Sequence, residues 1–122
     1  MSRIIPALRY PDARAAIDFL CAAFGFDEHA VHERDGLIAH AELRLGDDWV
    51  MLGDARAATV DLPSGPTTIY VVVDDPDAHH DRAVAAGAEI VRGLTDMDYG
   101  SREYAASDPA GNQWSFGTYR PS

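Results

Sequence analysis

The punctuation of this chain repeats. A β-rich run, an aspartate, a stretch with apolar residues at helical spacing and a glycine occur twice in that order. Asp12 and Gly25 mark the first pass, and Asp74 or Asp75 with Gly87 the second, 62 or 63 residues later. A half-chain of that length leaves too much surface exposed to hold a helix and a four-stranded sheet firmly by itself. Two such halves are expected to pair. With 122 residues in total, the repetition predicts one α+β domain over 1–122: a first repeat at about 3–54, a linker at about 55–66 and a second repeat at about 67–119.

Each repeat reads as βαβββ. In the first, residues 3–10 form a strand that contains Pro6, tolerated mainly at an edge or a strand start. Asp12 is an N-cap, Ala13, Ile17, Leu20 and Phe24 space an apolar stripe at helical period, and Gly25 supplies the left-handed stop. Strands follow at 26–34, 37–45 and 49–53, with Asp35-Gly36 as a hairpin turn. The segment 37–45 alternates at period two, with Leu37, Ala39, Ala41, Leu43 and Leu45 on one face and Ile38, His40, Glu42 and Arg44 on the other. Pro63, Ser64, Gly65 and Pro66 mark the linker. The second repeat runs through a strand at 67–73, a helix from Asp75-Pro76 to Ala86, and strands at 88–94, 102–107 and 113–119. A tight turn spans 108–112. In each half a helix covers one sheet face, and the other face is expected to curve around a space and carry polar side chains.

Composition excludes several functions. With 20 acidic residues against 10 basic and a formal charge of −10, the chain repels phosphate backbones, so nucleic acid is not expected as a partner. No apolar run approaches the roughly 20 residues of a membrane span, and the start is too short in apolar residues for a signal peptide, so a cytoplasmic protein without membrane contact is expected. The single cysteine, Cys21, excludes an intrachain disulfide and is spaced as on the buried stripe of the first helix.

Residues 101–116, Ser-Arg-Glu-Tyr-Ala-Ala-Ser-Asp-Pro-Ala-Gly-Asn-Gln-Trp-Ser-Phe, resemble the C-terminal signature of the vicinal oxygen chelate superfamily, which includes glyoxalase I, extradiol dioxygenases and bleomycin-resistance proteins. The Arg-Glu-Tyr-Ala piece is similar to the bleomycin-resistance members. The segment from His40 to Asp47 and the ending from Trp114 to Tyr119 are similar to glyoxalase-like members without assigned substrates. The resemblance covers nearly the whole chain and implies paired βαβββ repeats, cupped sheets and a homodimer. It implies the fold and leaves the function open, because this fold hosts many chemistries.

In the superfamily's enzymes a divalent metal is held at four inward strand positions, which the resemblance maps onto Ile5, Met51, Thr68 and Ser115. Isoleucine and methionine at two of them remove the usual site, so no metal or other cofactor is expected there. A displaced site stays open: His40 and Glu42 lie two apart on one strand and point the same way, as half a metal site or an acid–base pair. The alternative is a polar pair facing solvent or a dimer contact. His79 and His80 are expected at the surface, and His29 and His32 lie on a strand too weakly alternating to place.

By the same mapping Tyr70 shares the inward face with Thr68, Trp49 with Met51, and Arg9 with Ile5 and Ala7, while Tyr99 and Tyr104 flank the last turn region. In that place the Arg9 guanidinium suits a carboxylate or phosphate, or else a pairing with Glu42 or another acid within the cup, and Arg102 is named beside it as a further candidate. The candidate ligand-binding residues are therefore Arg9, His40, Glu42, Trp49, Thr68, Tyr70, Tyr99, Arg102, Tyr104 and Ser115, with His40 and Glu42 the candidates for catalysis. Rings and acidic groups together suit a small cationic or aromatic ligand. Three functions are open: a metal-free small-molecule binder, an enzyme (lyase, isomerase or dioxygenase) using His40 and Glu42 or a relocated metal, and a scaffold whose cup takes no specific ligand.

Overall fold

The computed structural model describes residues 4–57 and 66–121. Both halves have the expected element order. The first holds β1 (Ala7–Tyr10), α1 (Ala13–Phe24), β2 (Asp27–Arg34), β3 (Leu37–Leu45) and β4 (Asp48–Asp54), followed by a 3-10 turn over Ala55–Ala57. The second holds β5 (Thr68–Val72), α2 (Pro76–Ala85), β6 (Glu89–Asp96), β7 (Arg102–Ser107) and β8 (Gln113–Gly117). Of the linker, residues 58–65 lie outside the described residues. The strands form two mixed four-stranded sheets of the same topology, β1-β4-β3-β2 and β5-β8-β7-β6. In each, the first strand pairs in parallel with the last and the other pairings are antiparallel. The chain is α+β, built of two βαβββ repeats. By contacts, the described residues up to Cys21 and from Gly25 to Ala57 make one compact unit, and Ala22–Phe24 with everything from Pro66 onward make the second.

In the first unit α1 begins where Asp12, in extended backbone, accepts the Ala15 N–H at 3.1 Å. It ends at Gly25, whose φ of 84° lets its N–H reach the Leu20 carbonyl. Ala13, Ala16, Ile17 and Leu20 are at most 1% exposed, and each large side chain so buried contributes about 1.5–3 kcal/mol. Cys21, expected on the buried stripe, is only half-buried. Even so, burial and then Glu28, Asp27 and Asp18 push its thiol pKa up, away from reactivity. Asp54 ties the helix to the sheet, accepting the Ala13 N–H at 2.8 Å and the Ile38 N–H at 2.7 Å. Asp35 and Gly36, at φ 55° and 76°, form the two-residue hairpin turn.

Two expectations for this unit are corrected. Residue 3 lies outside the described residues, residues 4–6 precede the first strand, which begins at Ala7, and the Pro6 carbonyl accepts the Met51 N–H at 3.0 Å. In β3 the alternation breaks: His32 pairs with His40 but Glu33 with Ile38, so Ala39 is an extra residue. A bulge of this kind shifts the phase by one residue. Ile38, expected on the polar face, is therefore 5% exposed and in the core.

In the second unit Asp75 caps α2 by accepting the Ala78 N–H, and Pro76 occupies the first turn. The helix is mostly polar, with only Pro76 and Ala83 buried. His79 anchors it. Contrary to its expected place on the surface, His79 is half-buried, with its Nδ1 on the Tyr104 hydroxyl and its Nε2 at 3.1 Å from the Phe24 carbonyl. Its ring lies 4.2 Å from that of Phe116. His80 is also partly covered, edge-on to Tyr104. Phe24, Tyr104, Trp114 and Phe116, all fully buried, form the core beneath the helix, with Phe24 4.8 Å from Phe116. Asp108 organises the turn before β8: it is buried and accepts from the Ala110 and Asn112 N–H groups, Asn112 Nδ2 and Trp114 Nε1, each at 3.0 Å. β6 runs two residues past its expected end, and β8 stops at Gly117 rather than Tyr119.

Candidate functional site

The register of the second sheet decides which side chains share its open face. Tyr70 and Ala105 both lie opposite Ser115, and Glu103 lies opposite Gly117. Tyr70, Ser115, Gly117, Glu103 and Ala105 therefore share one face, and Tyr104, Trp114 and Phe116 take the other, under α2. The open face lines a concavity of about 690 Å³, within the range of small-molecule sites. Its floor carries Tyr70, Arg92, Glu103 and Ser115, and Tyr99, Tyr119 and Pro121 rim it.

Glu103 is the centre of the site. Although only 4% exposed, its carboxylate accepts from Arg92 Nη2 at 3.1 Å, the Tyr99 hydroxyl at 3.0 Å and the Tyr70 hydroxyl at 3.4 Å. A buried carboxylate lacking such donors would cost several kcal/mol. Gly117 makes room for it. A Cβ at that position would collide with the Glu103 side chain and stand 2.7 Å from the Tyr70 hydroxyl. Tyr99 reaches Glu103 from the turn joining β6 and β7, closed by the Met97 N–H to the Ser101 carbonyl at 2.7 Å and by Gly100 at φ 91°. Burial, then the adjoining carboxylate, raises the pKa of its hydroxyl, which keeps its proton at neutral pH. The C-terminal segment is tied in by the Tyr119 N–H, which donates to the Tyr70 hydroxyl at 3.0 Å and to Ser101 Oγ at 3.1 Å. The Tyr119 ring stands edge-on to Tyr99 at 5.8 Å.

Of the sequence candidates, Tyr70, Tyr99 and Ser115 come together here, and Thr68 shares their strand face without lining the concavity. Two others lie elsewhere. Tyr104 is fully buried on the opposite face, where burial raises its hydroxyl pKa. Arg102 turns to Asp77 of α2 at 2.6 Å and to Asp96 at 3.0 Å, and these carboxylates raise its pKa further. Sequence reasoning missed Glu103, Arg92 and Tyr119.

The remaining candidates lie in the first unit, on the corresponding face of its sheet. His40 Nε2 is 3.0 Å from Glu42 Oε2, and that hydrogen bond leads in lowering the Glu42 pKa. The His32 ring stacks on His40 at 6.0 Å. Trp49 meets His29 edge-on at 4.9 Å and carries the Arg44 guanidinium 5.0 Å above its ring. Arg9 donates to the Ala39 carbonyl at 3.2 Å and the Asp54 carbonyl at 3.4 Å, over Gly53, where a side chain would collide with it.

A metal does not fit the four mapped positions. Ile5 and Met51 offer no hard donor, and Thr68 and Ser115 offer neutral hydroxyls. Among the described residues, no three His, Cys, Asp or Glu side chains are grouped to hold an ion. Nor, among them, is any helix long and apolar enough to cross a membrane.

Comparison with known proteins agrees with this architecture. The model of the Glyoxalase/Bleomycin resistance protein/Dioxygenase superfamily matches residues 4–116. Uncharacterized proteins of Mycobacterium bovis and Mycobacterium tuberculosis are each 39% identical over 121 residues, spanning 92% of this chain and 80% and 71% of theirs. Among solved structures, TioX from Micromonospora sp. ML1 is 32% identical with a TM-score of 0.86 over 98% of this chain and 100% of its own. TnmS3, an antibiotic binding protein from Streptomyces sp. CB03234, shares the fold at 21% identity and a TM-score of 0.75, over 100% of this chain and 98% of its own. The chain belongs to the Glyoxalase/Bleomycin resistance protein/Dioxygenase superfamily.

Proposed function

We propose that this protein is a metal-independent small-molecule-binding protein, of the kind that sequesters a compound rather than converting it. The observation that carries the reading is the concavity of the second sheet. There three tyrosines and an arginine surround a buried carboxylate whose hydrogen bonds are already made within the protein. Such a site is preorganised, so a ligand pays little to order it. Among the described residues it contains no activated nucleophile, and its carboxylate is held by donors on both oxygens, a poor arrangement for accepting a proton. The description of TnmS3 as an antibiotic binding protein supports the reading by analogy of fold.

The test is a thermal-shift screen of planar aromatic compounds, followed by calorimetry of the hits on wild type and Tyr70→Ala. Saturable 1:1 binding, weakened about tenfold or more in the variant while its own melting temperature stays close to wild type, is expected. Equal affinity in the two proteins would remove the site from this concavity. For the metal, melting temperature is expected to hold within about 1 °C on adding Zn, Ni, Mn or Fe(II), since a ligand that does not bind the native state does not stabilise it. Stoichiometric uptake with a shift of several degrees would overturn the metal-independent reading. The homodimer implied by the family is part of the proposal, and light scattering reads it directly.

A second reading rests on the His40–Glu42 hydrogen bond of 3.0 Å: an acid–base pair acting on an acidic C–H substrate. It requires turnover that collapses in both His40→Ala and Glu42→Ala; activity surviving in both would dispose of it.

A further inference from the structure

We propose that the concavity of the second unit selects a planar aromatic molecule with a hydrogen-bond-accepting oxygen on its rim, a carboxylate, phenolate or carbonyl, and that Arg92 is the selecting residue. The proposal rests on the reading of this concavity as a small-molecule site and names its ligand class. It departs from the cationic ligand that the acidic composition suggests.

The polar groups already occupied within the concavity decide the ligand class. Among the described residues Glu103 is the one carboxylate lining the concavity, and a cation would have to bind it to be recognised there. Its Oε1 already takes Arg92, and its Oε2 takes both Tyr99 and Tyr70. It is also 4% exposed, so a cation would have to displace a guanidinium or two hydroxyls to reach it. Arg92 is in the opposite position. A guanidinium has five N–H donors in a planar fork. Among the described residues Arg92 directs a single bond, Nη2 to Glu103, and its side chain remains 42% exposed at the concavity. Ser115, also on the floor, has a hydroxyl to add. The hydroxyl protons of Tyr70 and Tyr99 point inward to Glu103, which leaves Arg92 as the strongest outward donor.

The ring surfaces set the rest of the class. Tyr70, Tyr99 and Tyr119 are 39%, 54% and 48% exposed, unusually open for side chains of their size. Tyr99 and Tyr119 stand edge-to-face at 86°, a corner against which a flat ring can stack on one face and abut on its edge. A ring seated there brings a rim oxygen toward Arg92, and the pairing of a guanidinium with a planar oxyanion is geometrically specific.

The test uses two probes with one ring system and opposite rims: acridine-9-carboxylate, an anion at neutral pH, and 9-aminoacridine, a cation. Calorimetric titration of wild type is expected to give at least about tenfold tighter binding of the carboxylate, the scale of a charge-assisted hydrogen bond. Arg92→Met keeps the stem and removes the donors. It should abolish the preference and raise affinity for 9-aminoacridine, because Glu103 loses its cationic partner. The double variant Arg92→Met/Glu103→Gln removes both charges and should bind the two probes equally, within about threefold.

Equal binding in wild type, or preference for 9-aminoacridine, with both lost in Tyr99→Ala, would overturn the inference and leave the small-molecule reading standing. A carboxylate preference that survives Arg92→Met would overturn the assignment of Arg92. Failure of both acridines to bind wild type would bring down the reading of the concavity and the inference with it.

Discussion

At the scale of the residue, two glycines on the second sheet make opposite predictions for the same substitution. Gly117 faces Glu103 and the Tyr70 hydroxyl so closely that a methyl group cannot fit. Its backbone is not in the left-handed region, so the constraint is purely one of space. Gly117→Ala should cost about 1–3 kcal/mol from overpacking, push Glu103 and Tyr70 aside and reduce acridine-9-carboxylate affinity about tenfold or more. At Gly93 on β6 a Cβ would meet nothing within 4 Å, and Gly93→Ala should leave both stability and affinity near wild type. Urea denaturation and calorimetry on the pair read both quantities, and equal behaviour would mean that Gly117 does not shape the site. Asp108 is a different case, a buried carboxylate that accepts from the Ala110 and Asn112 N–H groups, Asn112 Nδ2 and Trp114 Nε1. Asp108→Ala takes the carboxylate away from the Trp114 and Asn112 donors and should lose about 3 kcal/mol or more. A loss below about 1 kcal/mol would show that water replaces the carboxylate.

The same residues show what a sequence can disclose. Tyr70 follows Thr68 by two and Ser115 precedes Gly117 by two, so period two places them once one inward position is known. Gly117 is itself a signal, since a glycine inside a strand marks a close approach. Arg92 could not be placed in this way. The register of β6 shifts on both sides of it, between Ile90 and Arg92 and again before Thr95, and each shift resets the alternation. Glu103 is obscured by Ala105-Ala106, two alike residues that give β7 no phase, so the sequence points equally to Arg102 and Tyr104 on the other face of the sheet.

At the scale of the element, α1 was legible because cap, stripe and stop agree along it. The burial of α2 was not, since its anchoring contact joins His79 to Tyr104, 25 residues away. That contact has a pH signature. Burial, with a smaller push from Arg82 against the Phe24 carbonyl, lowers the His79 pKa below its ordinary value. Nδ1 accepts from the Tyr104 hydroxyl if Nε2 carries the proton donated to Phe24, the neutral form. The unfolded chain therefore binds a proton more readily than the native one, and stability falls as pH drops. The loss begins near the unfolded value of about 6.5 and continues down to the lowered native one. Urea midpoints measured from pH 7.5 to pH 5 should decline in wild type and decline less steeply in His79→Gln. Identical slopes would place the pH dependence in other groups.

At the scale of the whole molecule, the repetition that set the fold says nothing about the ligand, because the two sheets share a topology and differ in the polar groups on their open faces. The formal charge of −10 likewise acts apart from the site. A long-range field of that sign repels an approaching anion and draws in a cation, but it is screened over about 8 Å at physiological salt. The Arg92–Glu103 pair acts at 3.1 Å, where salt reaches it poorly. Field and site should therefore separate in the kinetics of the two acridines. Raising NaCl from about 20 mM to about 300 mM is expected to speed association of acridine-9-carboxylate and slow that of 9-aminoacridine, with dissociation rates changing much less, since distant charge governs encounter and close contacts govern release. Stopped-flow fluorescence on wild type measures both rates. If the carboxylate preference lay instead in association rates and vanished with salt, it would belong to the surface of the molecule and not to Arg92.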